Sequence, residues 1–354
     1  MKRRSFLKAV GGAVGTGALA AAPANCEQPS PSTDPPEQSG GLPRREVGRT
    51  GIKASIVGFP GLALIHQDQD PCTAAIHSAF KRGVNYFDVA PAYGKGDAEI
   101  KMGIGLQGIE RDKYYLACKT KMRDKEGARE ELERSLERLK TTYFDVYQLH
   151  ALMTPDQSEE ALASGGAIET LVKAREEGKV RHLGFSAHTM KAALKVMKGF
   201  RFDTVMFPIN FVELLRFEFA KPVLELAQKQ GAAVLAIKPM CRGAWPQGQE
   251  RTRRWWYRPV EDDKEVNLAV RFTLSQSPVA VGFPPAFLDL LDKAIEAGKA
   301  FEPITEAETQ KLRATAETCG SIFHKREQQL ARGGWQHEIR VAGCPHEWHE
   351  PVWA

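Results

Sequence analysis

The sequence predicts a closed (β/α)8 barrel, an α/β fold, on three observations. Short apolar runs recur along the chain at Ile56–Phe59, Tyr86–Val89, Tyr115–Lys119, Val146–Leu149, His182–Ser186, Thr204–Phe207, Ala232–Ile237 and Val279–Gly282. Helix-like segments separate them, and continuous apolar strands alternating with helices argue a parallel sheet covered on both sides. Polar side chains gather where successive runs end, which is the arrangement of a barrel whose strand ends share one face. An open doubly wound sheet would carry a glycine-rich dinucleotide turn after its first strand, and Gly58-Phe-Pro-Gly61 is not one.

The chain opens with Met1-Lys-Arg-Arg-Ser-Phe-Leu-Lys8, a twin-arginine pattern, followed by a Gly- and Ala-rich stretch from Ala9 to Ala22. Small-residue cleavage sites end at Ala20 and Ala24, so residues 1–24 read as a signal peptide cleaved on export to the periplasm or beyond. The stretch is short and glycine-rich for a membrane span, so no stable span is expected after processing. The twin-arginine translocation machinery would then be a partner, and it carries proteins already folded. Residues 25–41, with Pro29, Pro31, Pro35 and Pro36, have too little apolar content to pack and read as a flexible linker.

Residues 42–300 form the expected barrel, preceded by a hairpin that turns at Arg49-Thr-Gly51 and closes its floor. Helices are expected over Asp70–Lys81 and over Gly127–Leu139, where Leu132, Leu136 and Leu139 recur at helical spacing. Residues 301–354 read as an extension packing on the barrel. One helix is expected over Thr305–Lys325, with Leu312, Ala316, Cys319 and Ile322 on an apolar face, and residues 326–354 read as irregular.

The chemistry concentrates in three segments: Asn85-Tyr-Phe-Asp-Val-Ala-Pro-Ala-Tyr-Gly94, Ala117-Cys-Lys-Thr120 and Tyr147-Gln-Leu-His150. Asp88 ends the second strand, Tyr93 follows in its loop, Lys119 ends the third strand and His150 the fourth. Reduction of a carbonyl needs a proton delivered to the developing alkoxide and donors aimed at that oxygen. A phenol has an ordinary pKa near 10, a neighbouring ammonium favours its phenolate, and a carboxylate keeps that ammonium charged. Singly, Tyr93 reads as turn packing, Asp88 as a helix cap, Lys119 as a solvated strand end and His150 as a core histidine. Their order on consecutive strands favours a site.

This set resembles the Asp-Tyr-Lys-His tetrad of the aldo-keto reductases, and the likeness runs through residues 42–300. Val47-Gly-Arg-Thr-Gly51 is similar to the opening of many bacterial members. Gly178-Lys-Val-Arg-His-Leu-Gly-Phe-Ser186, Asp203-Thr-Val-Met-Phe-Pro-Ile-Asn210 and Ala236-Ile-Lys-Pro-Met-Cys-Arg-Gly243 resemble the fifth, sixth and seventh strand segments. The resemblance implies hydride transfer between NADP(H) or NAD(H) and an aldehyde, ketone or corresponding alcohol. Tyr93 would be the general acid/base, tuned by Asp88 and Lys119, with His150 orienting the carbonyl. Ser186, Asn210, Lys238, Arg242 and Gly282 would contact the cofactor. The chain departs from the family pattern at Ala187, where Asn is usual, at Met206 (Gln) and at Ile237 (Tyr). After the eighth strand, Pro284 and Pro285 stand where a phosphate-binding turn is expected, with no cation before Lys293.

The chain has 354 residues and a formal charge of +5, and removing residues 1–24 takes away Lys2, Arg3, Arg4 and Lys8 to leave about +1. That balance gives no basis for a nucleic-acid partner. The basic cluster Arg251-Thr-Arg-Arg-Trp-Trp-Tyr-Arg258 reads instead as a surface or cofactor-side loop, with Trp245, Trp255, Trp256 and Tyr257 as pocket walls. The stretches Ala151–Gly166 and Arg242–Val260 are read as loops that select substrate. The cysteines at 26, 72, 118, 241, 319 and 344 form no Cys-x-x-Cys pair, and Cys118 reads as a small core residue. The tail Cys344-Pro-His-Glu-Trp-His349 has ligand types that suit zinc but no closed motif, so no metal is assigned. A Cys319–Cys344 disulfide is conceivable in an oxidising compartment. Two other functions stay open: a non-catalytic ligand-binding barrel, and a lyase or isomerase that recycles bound NAD(H).

Overall fold

The structure is a computed structural model and describes residues 41–332. The signal and nearly all of the linker, and the tail with Cys344, lie outside the described residues. The chain enters through an antiparallel hairpin, β1 (Arg44–Glu46) and β2 (Lys53–Ser55). The strands that follow are β3 (Phe59–Pro60), β4 (Tyr86–Asp88), β5 (Tyr115–Thr120), β6 (Phe144–Leu152), β7 (Val180–Ala187), β8 (Thr204–Pro208), β9 (Ala233–Ile237) and β10 (Val279–Phe283). These eight pair in parallel and in chain order. The sheet closes on itself where Val57 bridges Gly282: Gly282 N–H donates to Ile56 O at 2.8 Å and Gly58 N–H to Gly282 O at 3.0 Å. The first strand is thus shorter and later than Ile56–Phe59, because residues 56–58 bond mainly across this seam.

Helices between and after the strands are α1 (Gln69–Lys81), α2 (Asp97–Gly105), α3 (Lys125–Arg138), α4 (Pro155–Leu162), α5 (Ala167–Glu176), α6 (Met190–Gly199), α7 (Phe211–Phe217), α8 (Lys221–Gln230), α9 (Asp263–Leu274), α10 (Leu288–Lys299), α11 (Glu306–Ala316) and α12 (His324–Ala331). Among the described residues no helix is long and apolar enough to cross a membrane. The stretch Ala151–Gly166 is not a loop, since β6 runs to Leu152 and α4 follows. Thr154 accepts from the Gln157 amide at 3.2 Å and Pro155 opens the first turn, a start signal overlooked in the sequence.

Two apolar layers hold the barrel. The larger fills the space between strands and helices. The smaller lies inside the barrel, where Val47, Ile52 and Ala54 of the hairpin pack against Tyr86, Ala117, Val146, Leu235 and Val281. The hairpin therefore closes the floor, leaving the opposite mouth, at the strand C-terminal ends, for chemistry.

The expected helix over Thr305–Lys325 is two helices, α11 and α12, with a non-helical turn and bend over residues 317–323 between them. Tertiary hydrogen bonds break it. Gly320 O accepts from the Ala244 amide at 2.8 Å, and the Glu213 carboxylate accepts from Ser321 Oγ at 2.6 Å and the Ile322 amide at 2.8 Å. Helix α12 also supplants the irregular structure expected from residue 326. Burial pushes the Glu213 carboxyl up to about 7. The folded state thus keeps a proton that an unfolded chain loses between about pH 4.5 and 7, so stability falls as pH rises through that window and levels off above it. The group's full contribution is about 3 kcal/mol. Chemical denaturation at pH 5 and pH 8 is expected to show this slope in the wild type and its loss in Glu213→Gln.

Candidate active site

Strand alternation aims the reacting groups. Tyr86 and Asp88 on β4, Ala117 and Lys119 on β5, and Val146, Gln148 and His150 on β6 follow the period of two that keeps one face inward. Tyr86, Ala117 and Val146 form the floor side of the interior; Asp88, Lys119 and His150 stand above them at the mouth. Tyr93 opens a short 3-10 turn, Tyr93–Gly96, beyond β4.

The four expected residues meet. Lys119 Nζ is in contact with Asp88 Oδ1, donates to Val89 O at 3.1 Å and lies 3.3 Å from Tyr93 Oη. The ammonium also lies 4.9 Å from the centre of the Tyr93 ring. The His150 ring meets that of Tyr93 edge-on, at 5.6 Å between centres and 84° between planes. All four are buried. Burial disfavours charge on Asp88 and pushes its carboxyl up, against the pull of Lys119. Burial works against the Lys119 charge too, but contact with Asp88 and Tyr93 outweighs it, and the ammonium is held charged. At Tyr93 burial prevails over the ammonium and raises the phenol, so its resting form is protonated. Proximity to the ammonium alone, which is all that sequence spacing conveys, favours the opposite direction.

Gln148 was missed. Its Nε2 donates to Asp88 Oδ2 at 3.1 Å, so both carboxylate oxygens are engaged. Its place two residues before His150 on one strand was the available signal. Gly184 makes room for it: a Cβ there would lie 2.2 Å from Thr204 Oγ1 and 3.1 Å from Gln148 Cγ. Gln148→Leu is expected to lose about 1.5–3 kcal/mol, the usual worth of a hydrogen bond to a charged group, read by denaturant unfolding.

A cavity of about 70 Å³ opens beside the four residues, lined by Tyr93, His150, Ser186, His188, Met206, Ile237 and Lys238 on the strand side. Trp255, Trp256, Tyr257 and Pro284–Ala286 form its other wall. The expected aromatic wall is therefore present, although Trp245 is not part of the lining and donates from Nε1 to Trp255 O at 2.8 Å. Lys238, at φ +62°, lies 3.4 Å from His188 Nδ1 and about equally near the Trp256 and Phe323 rings, at 5.4 and 5.6 Å.

The structure separates the expected cofactor residues into two groups. Ser186 and Lys238 line the cavity; Asn210, Arg242 and Gly282 do not. Asn210 caps α7, accepting from the Glu213 amide at 3.0 Å. Arg242 pairs with Glu265. Gly282 belongs to the closing seam, and a Cβ on it would point at Leu274 of α9. The basic loop is also tied down, since Arg253 pairs with both Glu261 and Asp289 in the first turn of α10.

A model of the Aldo/keto reductase family matches residues 66–325. The chain belongs to that family. Among curated family relatives, it is 27% identical over 213 residues to an L-galactose dehydrogenase of Arabidopsis thaliana, covering 56% of this chain and 66% of that protein. It is 30% identical over 217 residues to the aldo-keto reductase YhdN of Bacillus subtilis, covering 56% of this chain and 62% of that one. The chain thus spans just under two thirds of the length of these relatives. The aldo-keto reductase AKR11C1 of Bacillus halodurans in its holo form shares the fold at a TM-score of 0.65 and 23% identity, over 80% of this chain and 99% of that one.

The donor set fits a nicotinamide cofactor: the Ser186 hydroxyl suits a carboxamide, the Lys238 ammonium a phosphate, and Met206, Ile237 and Phe283 an apolar ring face.

Proposed function

We propose that the protein is an NAD(P)(H)-dependent oxidoreductase acting on an aldehyde or ketone, or on the alcohol in reverse. The observation that carries this reading is the buried contact of Lys119 with Asp88 and Tyr93, beside His150 at the barrel mouth. A bound nicotinamide supplies the hydride. The Tyr93 hydroxyl gives its proton to the oxygen as the carbonyl carbon is reduced, and the Lys119 ammonium, 3.3 Å away, stabilises the phenolate left behind. Asp88 keeps Lys119 charged and placed, and His150 donates to the carbonyl oxygen and fixes its direction. Burial excludes water from this exchange and strengthens each electrostatic contact. Sugar-like carbonyls belong in the first substrate screen, because L-galactose dehydrogenase and a D-threo-aldose 1-dehydrogenase of Pseudomonas are among the relatives.

Of the two cofactor forms, NAD(H) suits the chain better. The first turn of α10, after the proline pair, carries Asp289, which Arg253 already occupies. A carboxylate there repels a 2′-phosphate, and Pro284 and Pro285 lack the N–H groups that would bind one. Fluorescence titration is expected to show NADH binding at least several-fold more tightly than NADPH, with quenching of Trp255 and Trp256 in the cavity wall. A clear NADPH preference would show that a phosphate ligand lies elsewhere.

Export through the twin-arginine pathway remains part of this proposal, supported by Arg3-Arg4 and the Ala-rich run that follows. Cell fractionation of the wild type against an Arg3→Lys/Arg4→Lys variant tests it, with retention inside the cell expected for the variant.

A further inference from the structure

His150 does not sit on a regular stretch of strand. The pairing of β6 with β7 shifts register between Leu149 and Leu152. Within that shift Ala151 adopts φ +54°, a left-handed conformation that costs a non-glycine residue roughly 1–2 kcal/mol. Two side chains hold it there. Ser186 Oγ, from β7, accepts the Ala151 amide proton at 2.7 Å. Arg123 Nη2, from the connection between β5 and α3, donates to the His150 carbonyl at 2.7 Å.

Arg123 is itself fixed. Its own carbonyl accepts from the Ala167 amide at 2.7 Å, and the next residue, Asp124, caps α3 through the Gly127 amide. Its second terminal nitrogen, Nη1, is buried with no hydrogen-bond partner among the described residues. A buried unpartnered donor is unfavourable, so stability alone does not account for a guanidinium in this place. Irregular pairing of this kind re-aims side chains beside active sites.

We propose that Arg123 is a positioning residue: by holding the His150 carbonyl it sets the rotation of the strained His150–Ala151 peptide, and so the angle of the imidazole to Tyr93. The catalytic part of this inference rests on the reading that His150 directs the carbonyl; the geometric part does not. A misplacement of about 1 Å in such a group lowers turnover by about a hundredfold.

The test uses the whole chain, labelled with carbon-13 at histidine Cε1, with the His150 signal assigned by its loss in His150→Asn. In Arg123→Met that signal is expected to move, and in Arg123→Lys to return toward its wild-type position, while the His77 signal on α1 stays fixed. An unmoved His150 signal in folded Arg123→Met overturns the proposal. Should that variant not fold, Ser186→Ala removes the other anchor and is expected to move the same signal; no movement there also overturns it. Steady-state kinetics provide the second readout. Arg123→Met is expected to lower kcat by about 10- to 100-fold with the cofactor KM within about twofold, and Arg123→Lys to recover part of the loss. Unchanged kcat in an active wild-type background overturns the proposal. A wild type that turns over no carbonyl overturns the functional reading instead, and the imidazole signal still decides the position of Arg123.

Discussion

Tyr93→Phe is expected to reduce carbonyl turnover by about a hundred- to ten-thousandfold, the range supplied by a positioned general acid. The substitution removes one oxygen and keeps the ring that packs edge-on against His150. Lys119 retains Asp88 and Val89 O as partners, so the fold and its buried ion pair survive. Cofactor affinity is therefore expected to stay within about twofold of wild type, since the donors proposed to hold it, Ser186 and Lys238, are elsewhere on the cavity wall. The pH profile follows from the protonation state. Burial raises the phenol, so reduction is level at neutral pH and declines only as pH climbs through that raised value, where the acid form is lost. Turnover by Tyr93→Phe at a comparable rate would take Tyr93 out of the acid role.

Lys119→Met is expected to damage both stability and catalysis, and the two can be separated. The Lys119 side chain is fully buried and Asp88 nearly so, and removing one partner of such a pair leaves an uncompensated charge worth about 3–5 kcal/mol. Adding Asp88→Asn removes that charge and is expected to restore much of the lost stability, as buried pairs replaced together often cost little. Activity is expected to stay lost in the double variant, because nothing then stabilises the phenolate of Tyr93. Denaturant unfolding and turnover measured on the same preparations check both halves. A double variant that regained activity with stability would reduce Lys119 to a packing element.

Much of this was legible in the sequence because it depends on local period and order. Eight apolar runs between helices carry the barrel, and Asp88, Lys119 and His150 fall at consecutive strand ends, so the topology alone brings them together. The turn at Arg49–Gly51 likewise fixed the hairpin before its packing against the barrel interior was visible. What stayed hidden depends on distant partners. The break after α11 is made by Glu213, 109 residues from Ile322, and by Ala244, far in sequence from Gly320, and helical spacing through Ile322 cannot register partners so distant. Asn210 and Arg242 lie in family-like segments, yet a helix cap and an ion pair with Glu265 take them away from the cavity. The net direction at Tyr93 was illegible for a related reason: proximity to an ammonium can be read from spacing, but the depth of burial that opposes it cannot.

The most direct test of the account is the stoichiometry of hydride transfer, measured with nicotinamide cofactor deuterated at the reactive carbon and a reducible aldehyde or sugar. Each alcohol formed is expected to consume one reduced cofactor and to carry the deuterium on its carbinol carbon, with the same labelling but about a hundred- to ten-thousandfold slower formation in Tyr93→Phe. Product formed with no net oxidation of cofactor would contradict it and favour a lyase or isomerase that recycles its nicotinamide. A folded, cofactor-free protein that binds neither NADH nor NADPH would contradict it more simply.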